Sequence, residues 1–459
     1  MDRLSSSFRD PNGFIYRQEG RLLRQVNPSY RAHYDALMGS GLYDELVAAT
    51  LLIPHRECPN TLAATPDAYR VLEPQTVTYV SYPYEWCFSQ LKDAALTTLE
   101  IQKRALSHGM MLKDASAYNI QFHEGRPTLI DTLSFEQYQD GKPWIAYRQF
   151  CQHFLAPLAM MSSIDVRLSR LLERFLDGIP LDLASETLPK RSWLRPSITL
   201  HIHLHARSIR RYAEASREQL QRSRNVRRLG LDGLVANLTA AVNRLDWQPE
   251  DSEWADYETQ HAYKDAARTE KERIVLECLN EIAPRTAWDL GANTGFFSQL
   301  AARAGCQVLA LDGDPGAVEL HYRRVKEEGV RRILPVWIDL ANPSPSVGWS
   351  HEERGSLVDR GPADCVLALA LIHHLAISNN TRLEMIAEFF SRLGRNLVIE
   401  YVPKSDPQTQ RLLVSREDIF EDYSETVFER AFSRFFSIVS SKEIGETGRR
   451  IYRMARSPR

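Results

Sequence analysis

No two cysteines in this chain are separated by two residues, and the six present, Cys58, Cys87, Cys151, Cys278, Cys306 and Cys365, are scattered. That spacing excludes a zinc knuckle and a disulfide framework, and leaves buried thiols as the expectation. An excess of one charge sign is missing too: 57 basic residues face 59 acidic ones, for a net charge of -2. General attraction to nucleic acid or to an anionic membrane is therefore not expected, and any such case has to be made locally. No apolar run reaches about eighteen residues, so no membrane helix is expected. Met1 to Asp10 are polar and lack the apolar centre of a signal peptide, which makes the cytoplasm the expected compartment.

What is present is a chain of 459 residues, 43% hydrophobic and 25% charged. That is too long for one ordinary core and suits two or three domains of a globular α/β protein. Composition shifts suggest an α+β N-terminal domain over 1–195, a basic helical linker region over 196–250, and a further domain over 251–459. Around Glu19-Gly20, the segment Gly13 to Val26 predicts two strands, and Tyr30 to Ile53 predicts a helix broken near Gly39-Ser40-Gly41. From Ser89 to Ser107 the apolar residues recur at helical spacing up to a Gly109 cap.

The most informative stretch is Trp288-Asp289-Leu290-Gly291-Ala292-Asn293-Thr294-Gly295-Phe296-Phe297-Ser298. An apolar run turns on glycines into an amphipathic segment, which predicts strand, tight turn and helix start. Glycine lets backbone approach a ligand there, and the helix start offers unsatisfied N–H groups. The middle glycine of the dinucleotide fingerprint is absent, with Asn293 in its region, which argues against a pyrophosphate. About twenty residues on, Val308 to Leu311 end in Asp312, where α/β folds place a carboxylate for a ribose diol.

These residues, followed by Ile338-Asp339-Leu340 and by Ala363 to Leu369 running into His373-His374-Leu375, resemble the class I S-adenosylmethionine-dependent methyltransferases over roughly the last two hundred residues. The resemblance implies a Rossmann-like seven-stranded sheet at the C-terminus with S-adenosylmethionine as cofactor. It implies that Asp289, Gly291, Asn293 and Gly295 surround the amino-acid end, that Asp312 takes the ribose and that Asp339 meets the adenine amine. His373 and His374 are candidates for a general base because an imidazole titrates near neutrality, and Glu400, ending a fifth strand, is a second candidate. The Asn/Asp-Pro-Pro-aromatic signature of enzymes acting on exocyclic amines is missing, which favours an oxygen, carbon or other acceptor, either a small molecule or a biopolymer. The loop Asn342 to Pro362, carrying Trp349, is long enough for a lid. Tyr257 and Tyr263 precede the first strand, where aromatics can cover a cofactor or simply pack.

The N-terminal half holds a second pattern: Asp114, Asn119, a Gly125 turn, and an apolar run delivering Asp131. This resembles the catalytic loop and metal-binding acid of protein kinases and small-molecule phosphotransferases. The resemblance implies Asp114 as base and Asn119 and Asp131 as magnesium ligands for ATP. A Gly-rich loop and a clear Ala-x-Lys strand are missing, and Arg24 is the nearest replacement for the lysine. A degenerate kinase-like module that holds substrate is the version this pattern favours, and Asp114 and Asn119 as plain turn caps are the alternative.

Arg207, Arg210, Arg211, Arg217, Arg222, Arg224, Arg227 and Arg228 face only Glu214 and Glu218, a stretch able to follow nucleic-acid phosphates. It lacks interleaved aromatics, so a solvated basic helix or inter-domain contact is the preferred reading. His201, His203 and His205 share a face only if extended, and no carboxylate or thiol at ligand spacing supports a metal there. Three functional classes remain: a methyltransferase whose N-terminal domain selects the acceptor, a bifunctional kinase–methyltransferase, and a non-catalytic S-adenosylmethionine-binding regulatory protein.

Overall fold

The computed structural model describes residues 2–208, 226–249, 263–414 and 418–458. It divides into two units. Unit 1 comprises Met1–Gln248 with Val347–Arg354, and unit 2 comprises Pro249–Ser346 with Gly355–Arg459.

Unit 1 opens with an antiparallel sheet built from β1 (Asp2–Arg3), β2 (Gly13–Gln18), β3 (Arg21–Val26), β4 (His55–Cys58) and β5 (Arg70–Pro74), in the order β1-β2-β3-β5-β4. Glu19 and Gly20 both take positive φ at the β2–β3 turn, the left-handed geometry that suits the twist of a tight hairpin. Between β3 and β4 run helices α1 (Arg31–Gly39) and α2 (Leu42–Ala48), split at Gly41 with φ of 78°. Helix α3 (Phe88–Ser107) buries Leu91, Ala94, Ala95, Thr98, Leu99, Gln102 and Leu106, the stripe its spacing predicts. It leads into β6 (Met110–Leu112), the hairpin of β7 (Ile120–His123) and β8 (Arg126–Leu129), and β9 (Phe135–Gln137), which pairs with β6. Thr76 to Ser81 form no strand.

Short helical segments fill 147–204. His201 bonds the Tyr147 hydroxyl at 2.7 Å and Asn237 at 2.8 Å, while His203 lies between the hydroxyls of Ser185 and Ser192 and stacks on Trp193. Both are buried, hydrogen-bonded core histidines, and among the described residues no group of three metal-ligating side chains occurs. Arg210, Arg211, Arg217, Arg222 and Arg224 lie outside the described residues. Of the rest of that basic stretch, Arg207 stacks over Trp193 and Arg228 pairs with Asp232 at 3.2 Å, so both are engaged within the unit. Helix α4 (Arg228–Asn243), in the stretch read as linker, packs along α3 with Leu231, Val235 and Leu238 buried.

In unit 2, helix α5 (Tyr263–Ile282) precedes a seven-stranded sheet. Its strands are β10 (Thr286–Leu290), β11 (Gln307–Asp312), β12 (Ile333–Trp337), β13 (Ala363–Ala368), β14 (Gly394–Tyr401), β15 (Phe436–Glu443) and β16 (Arg450–Arg456). Their order is β12-β11-β10-β13-β14-β16-β15, parallel through the first five and antiparallel at β16 and β15. Parallel strands covered on both faces need near-continuous apolar runs, and Val308–Leu311 and Cys365–Ala368 are buried throughout. Ala287, Val308, Ala310, Cys365, Leu367 and Val398 meet Ile274 and Val275 of α5 and Leu300 and Ala301 of α6 (Phe296–Arg303) in one core. Helix α7 (Pro315–Glu327) follows β11, capped by Asp314 accepting from the Gly316 amide.

Five of the six cysteines are buried, Cys58 is half-buried, and all are free thiols. No helix among the described residues is long and apolar enough to cross a membrane. The middle of the loop read as a lid, Val347–Arg354, groups with unit 1, where Glu353 pairs with Arg9 at 2.8 Å and Arg354 stacks over Tyr118 at 4.5 Å.

Candidate functional site

In unit 2 the strand order reverses between β10 and β13, whose carboxyl ends lie side by side with Leu290 opposite Ala368. Connections leave these two strands in opposite directions, so a crevice opens at their ends, and ligands of open α/β sheets bind there. The turn leaving β10 is strained to fit: Gly291, Asn293 and Gly295 take φ of 71°, 49° and 90°. Glycine adopts these angles without a Cβ clash, and asparagine is among the few side chains that tolerate them. The amides of Gly291 and Ala292 both donate to the Leu311 carbonyl at 2.9 Å, fastening the turn to β11. The Asn293 amide donates to Asp312 Oδ2 at 2.7 Å, and the Asp314 amide to Oδ1 at 2.8 Å. Asp312 is thereby aimed by backbone from both sides, with further lone pairs on each oxygen available to hydroxyl donors. Burial pushes its carboxyl up against these bonds.

Asp289, one residue before the end of β10, is buried at 2% exposure. The Ser298 hydroxyl donates to its Oδ2 at 2.6 Å. Burial nevertheless pushes its carboxyl up to about 6, with the Ser298 bond and the Lys271 charge opposing. No cation lies within ion-pair distance of Asp289 or Asp312 among the described residues. The geometry therefore leaves two under-compensated carboxylates at adjacent strand ends. Asp339, after β12, is exposed and accepts the Ala341 amide at 2.8 Å, and its Cβ lies on the Gly313 side of the β11 end.

The floor of the turn is a contact that sequence reading missed. A Cβ on Gly295 would stand 2.0 Å from Nε2 of His321 in α7, so glycine is required by packing as well as by φ. His321 is buried and burial holds its imidazole down to about 3, hence neutral. Gly291 faces the segment after β13, where an added Cβ would meet Leu371 Cδ1 at 3.3 Å.

Beyond β13, His373 and His374 sit with ring centroids 4.2 Å apart. Burial, aided by His374 and Arg449, takes His373 down to about 3, while burial alone lowers His374. Glu400, at the end of β14, is fully buried and accepts the Ala370 amide at 2.8 Å. It pairs with Lys271 of α5 at 2.6 Å and with Arg449 at 3.2 Å, and Arg449 also clamps Asp406 at 2.7 and 3.0 Å. Burial raises the Glu400 carboxyl, but the two cations overcome it and hold it below its ordinary range. Neither Lys271 nor Arg449 carries a motif, and only the fold brings them to the strand ends. Tyr257 lies outside the described residues, as does the side chain of Tyr263.

In unit 1, Asp114, Asn119 and Asp131 are joined in one network. Asp131 accepts the Leu133 amide at 3.0 Å and the Ser134 hydroxyl at 2.9 Å, and that hydroxyl accepts from Asn119 at 3.4 Å. Asp114 accepts the Ser116 amide at 2.9 Å, and burial, then the Asp131 charge, raises its carboxyl. Arg24 Nη1 lies 2.5 Å from Asp131 Oδ1, with both side chains largely buried. The residue offered as a lysine replacement is thus a direct counter-ion of the acid offered as a metal ligand.

No family model matches the chain. Among solved structures it is similar to the N-methyltransferase NodS from Bradyrhizobium japonicum WM9, at 14% identity over 42% of this chain and 97% of that one, TM-score 0.32. It is also similar to magnesium protoporphyrin IX methyltransferase ChlM from Synechocystis PCC 6803, at 17% identity over 43% of this chain and 89% of that one, TM-score 0.31. A third likeness is to the bifunctional kinase-methyltransferase WbdD, at 15% identity over 44% of this chain and 41% of that one, TM-score 0.30. TM-scores this low decide neither fold nor chemistry. Sequence similarity is far stronger to nodulation protein NoeA of Rhizobium meliloti (strain 1021), at 34% identity over 462 residues, 99% of this chain and 96% of the relative. At that identity over nearly the whole length, the chain belongs to the family of nodulation protein NoeA.

Proposed function

We propose that unit 2 is an S-adenosylmethionine-dependent methyltransferase of class I type, with the acceptor selected through unit 1. One observation carries this reading: at the switch point of the sheet, the glycine turn, the buried Asp289 and the backbone-aimed Asp312 converge on adjacent strand ends. The residues fit the cofactor. Asp289, buried and under-compensated, suits an α-ammonium; Asp312 suits a ribose diol; Asp339, exposed beside the β11 end, suits the adenine amine; Gly291, Asn293 and Gly295 form the turn between them.

The cofactor supplies an electrophilic methyl on a sulfonium. Positive charge disperses as such a methyl moves, so the protein has mainly to align the acceptor and receive its proton. His373 and His374 are neutral at neutral pH and able to receive one. Burial holds His373 down to about 3 and lowers His374 as well, so either imidazole receives a proton only in passing and returns it readily. Glu400 is reassigned from base to anchor, because two cations and the Ala370 amide already use its oxygens. In unit 1, Arg24 on Asp131 disfavours a magnesium and ATP site, and supports a module that holds the acceptor without transferring phosphate.

Calorimetry with S-adenosylmethionine and S-adenosylhomocysteine tests the reading. Binding tighter than millimolar is expected, and its absence for both compounds overturns the proposal. A magnesium-dependent ATP signal lost on Asp131→Ala would favour the kinase–methyltransferase reading. Tight cofactor binding without methyl loss to any acceptor would favour a regulatory protein.

A further inference from the structure

Resting on the cofactor reading, we infer that Lys271 reads the α-carboxylate of the cofactor's amino-acid end while Asp289 takes its α-ammonium, with Glu400 as the residue that positions Lys271. Lys271 projects from α5, and its Nζ lies 2.6 Å from Glu400 Oε2 and 4.7 Å from the centroid of the Phe297 ring. Glu400 is the penultimate residue of β14 and Phe297 lies in the first turn of α6, the helix that begins at the glycine turn, so the ammonium sits between the end of β14 and the start of α6, and its charge is felt at Asp289.

An ammonium carries three N–H donors. Glu400 takes one, and no second acceptor is bonded to Lys271 among the described residues, although its side chain is only 14% exposed. The surrounding charges point the same way. Arg449 gives its paired bonds to Asp406 and one longer bond to Glu400, leaving Lys271 as the short partner of Glu400. Asp289 stays without an ion-pair partner beside them. A ligand end bearing both an ammonium and a carboxylate completes this arrangement: its cation meets Asp289 and its anion meets the spare donors of Lys271. A ligand lacking that end engages neither.

The test measures binding of two probes, S-adenosylhomocysteine and 5′-methylthioadenosine, which shares the adenosine and thioether but has no amino-acid end. For Lys271→Met, S-adenosylhomocysteine should weaken about tenfold to a hundredfold, as for loss of a charged hydrogen bond, while methylthioadenosine changes less than about twofold. Lys271→Arg should restore part of the loss. Because Lys271→Met strips a cation from buried Glu400, the double variant Lys271→Met/Glu400→Gln is measured beside it and should show the same selectivity between probes. Equal weakening of both probes in both variants, or unchanged S-adenosylhomocysteine affinity, overturns the role of Lys271 and leaves the methyltransferase reading standing. Wild-type protein binding neither probe overturns both.

Discussion

Asp131 in unit 1 and Asp289 in unit 2 are the same residue type, each delivered by an apolar run, and the structure treats them oppositely. Asp131 receives the Arg24 guanidinium at 2.5 Å, an amide and a hydroxyl, so its charge is settled inside the fold. Asp289 receives the Ser298 hydroxyl and is buried deeply enough that its carboxyl rises to about 6. A carboxylate already neutralised by its own chain has little to offer a ligand; one left short of positive charge is a vacancy for a cation. The difference teaches that an acid at a motif position marks a site only when the fold leaves its charge unanswered.

The comparison breaks most visibly at Gly295. Gly295→Ala puts a Cβ against His321 at a φ that resists side chains, and should cost roughly 2–4 kcal/mol and remove cofactor binding, read as a lowered urea midpoint together with lost calorimetric heat. On the unit 1 side, Arg24→Met leaves Asp131 buried without its cation and should destabilise by about 3 kcal/mol in a denaturant melt. Adding Asp131→Asn should recover much of that loss; no recovery would mean that Arg24 contributes packing and not charge.

Asp312→Ala removes the aimed acceptor and should weaken S-adenosylhomocysteine about tenfold to a hundredfold, measured by calorimetry. The pH dependence sharpens the contrast further. The carboxyl of Asp289 is raised in the folded protein, so its protonated form is favoured by folding: that contribution is full below the unfolded value, near 4, and is lost as pH rises through about 6. Cofactor binding runs the other way, since an ammonium needs the ionised carboxylate. Affinity for S-adenosylhomocysteine should fall by up to about tenfold per pH unit below about 6, and Asp289→Asn should flatten that slope. The smallest effect belongs to Asp339: it is exposed and accepts the Ala341 amide, so its change to Ala should alter S-adenosylhomocysteine binding by about 0.5 kcal/mol or less, within the range of ordinary surface substitutions.

The strands and their periodicity were legible because short-range rules write them: alternating residues around Glu19-Gly20, the buried stripe of Phe88–Ser107, and the continuous apolar runs of Val308–Leu311 and Cys365–Ala368. The glycine turn was legible for the same reason, since positive φ at Gly291 and Gly295 is a local demand. The sequence offered His201, His203 and His205 no metal-ligand spacing but could not name their partners: Tyr147 and Asn237 bond His201, Ser185 and Ser192 bond His203, and these lie up to 54 residues away.

By itself the sequence determined where chain turns, which runs are buried, and which acids end strands, because those follow from dihedral preference and hydrophobic periodicity. Only the tertiary structure decided which acids keep an unanswered charge. Arg24 reaches Asp131 across 107 residues, Lys271 reaches Glu400 across 129, and His321 closes on Gly295 from the next helix, and no local rule couples positions so far apart in sequence. Charge compensation is a property of what the fold brings within a few ångströms, and the site is defined there.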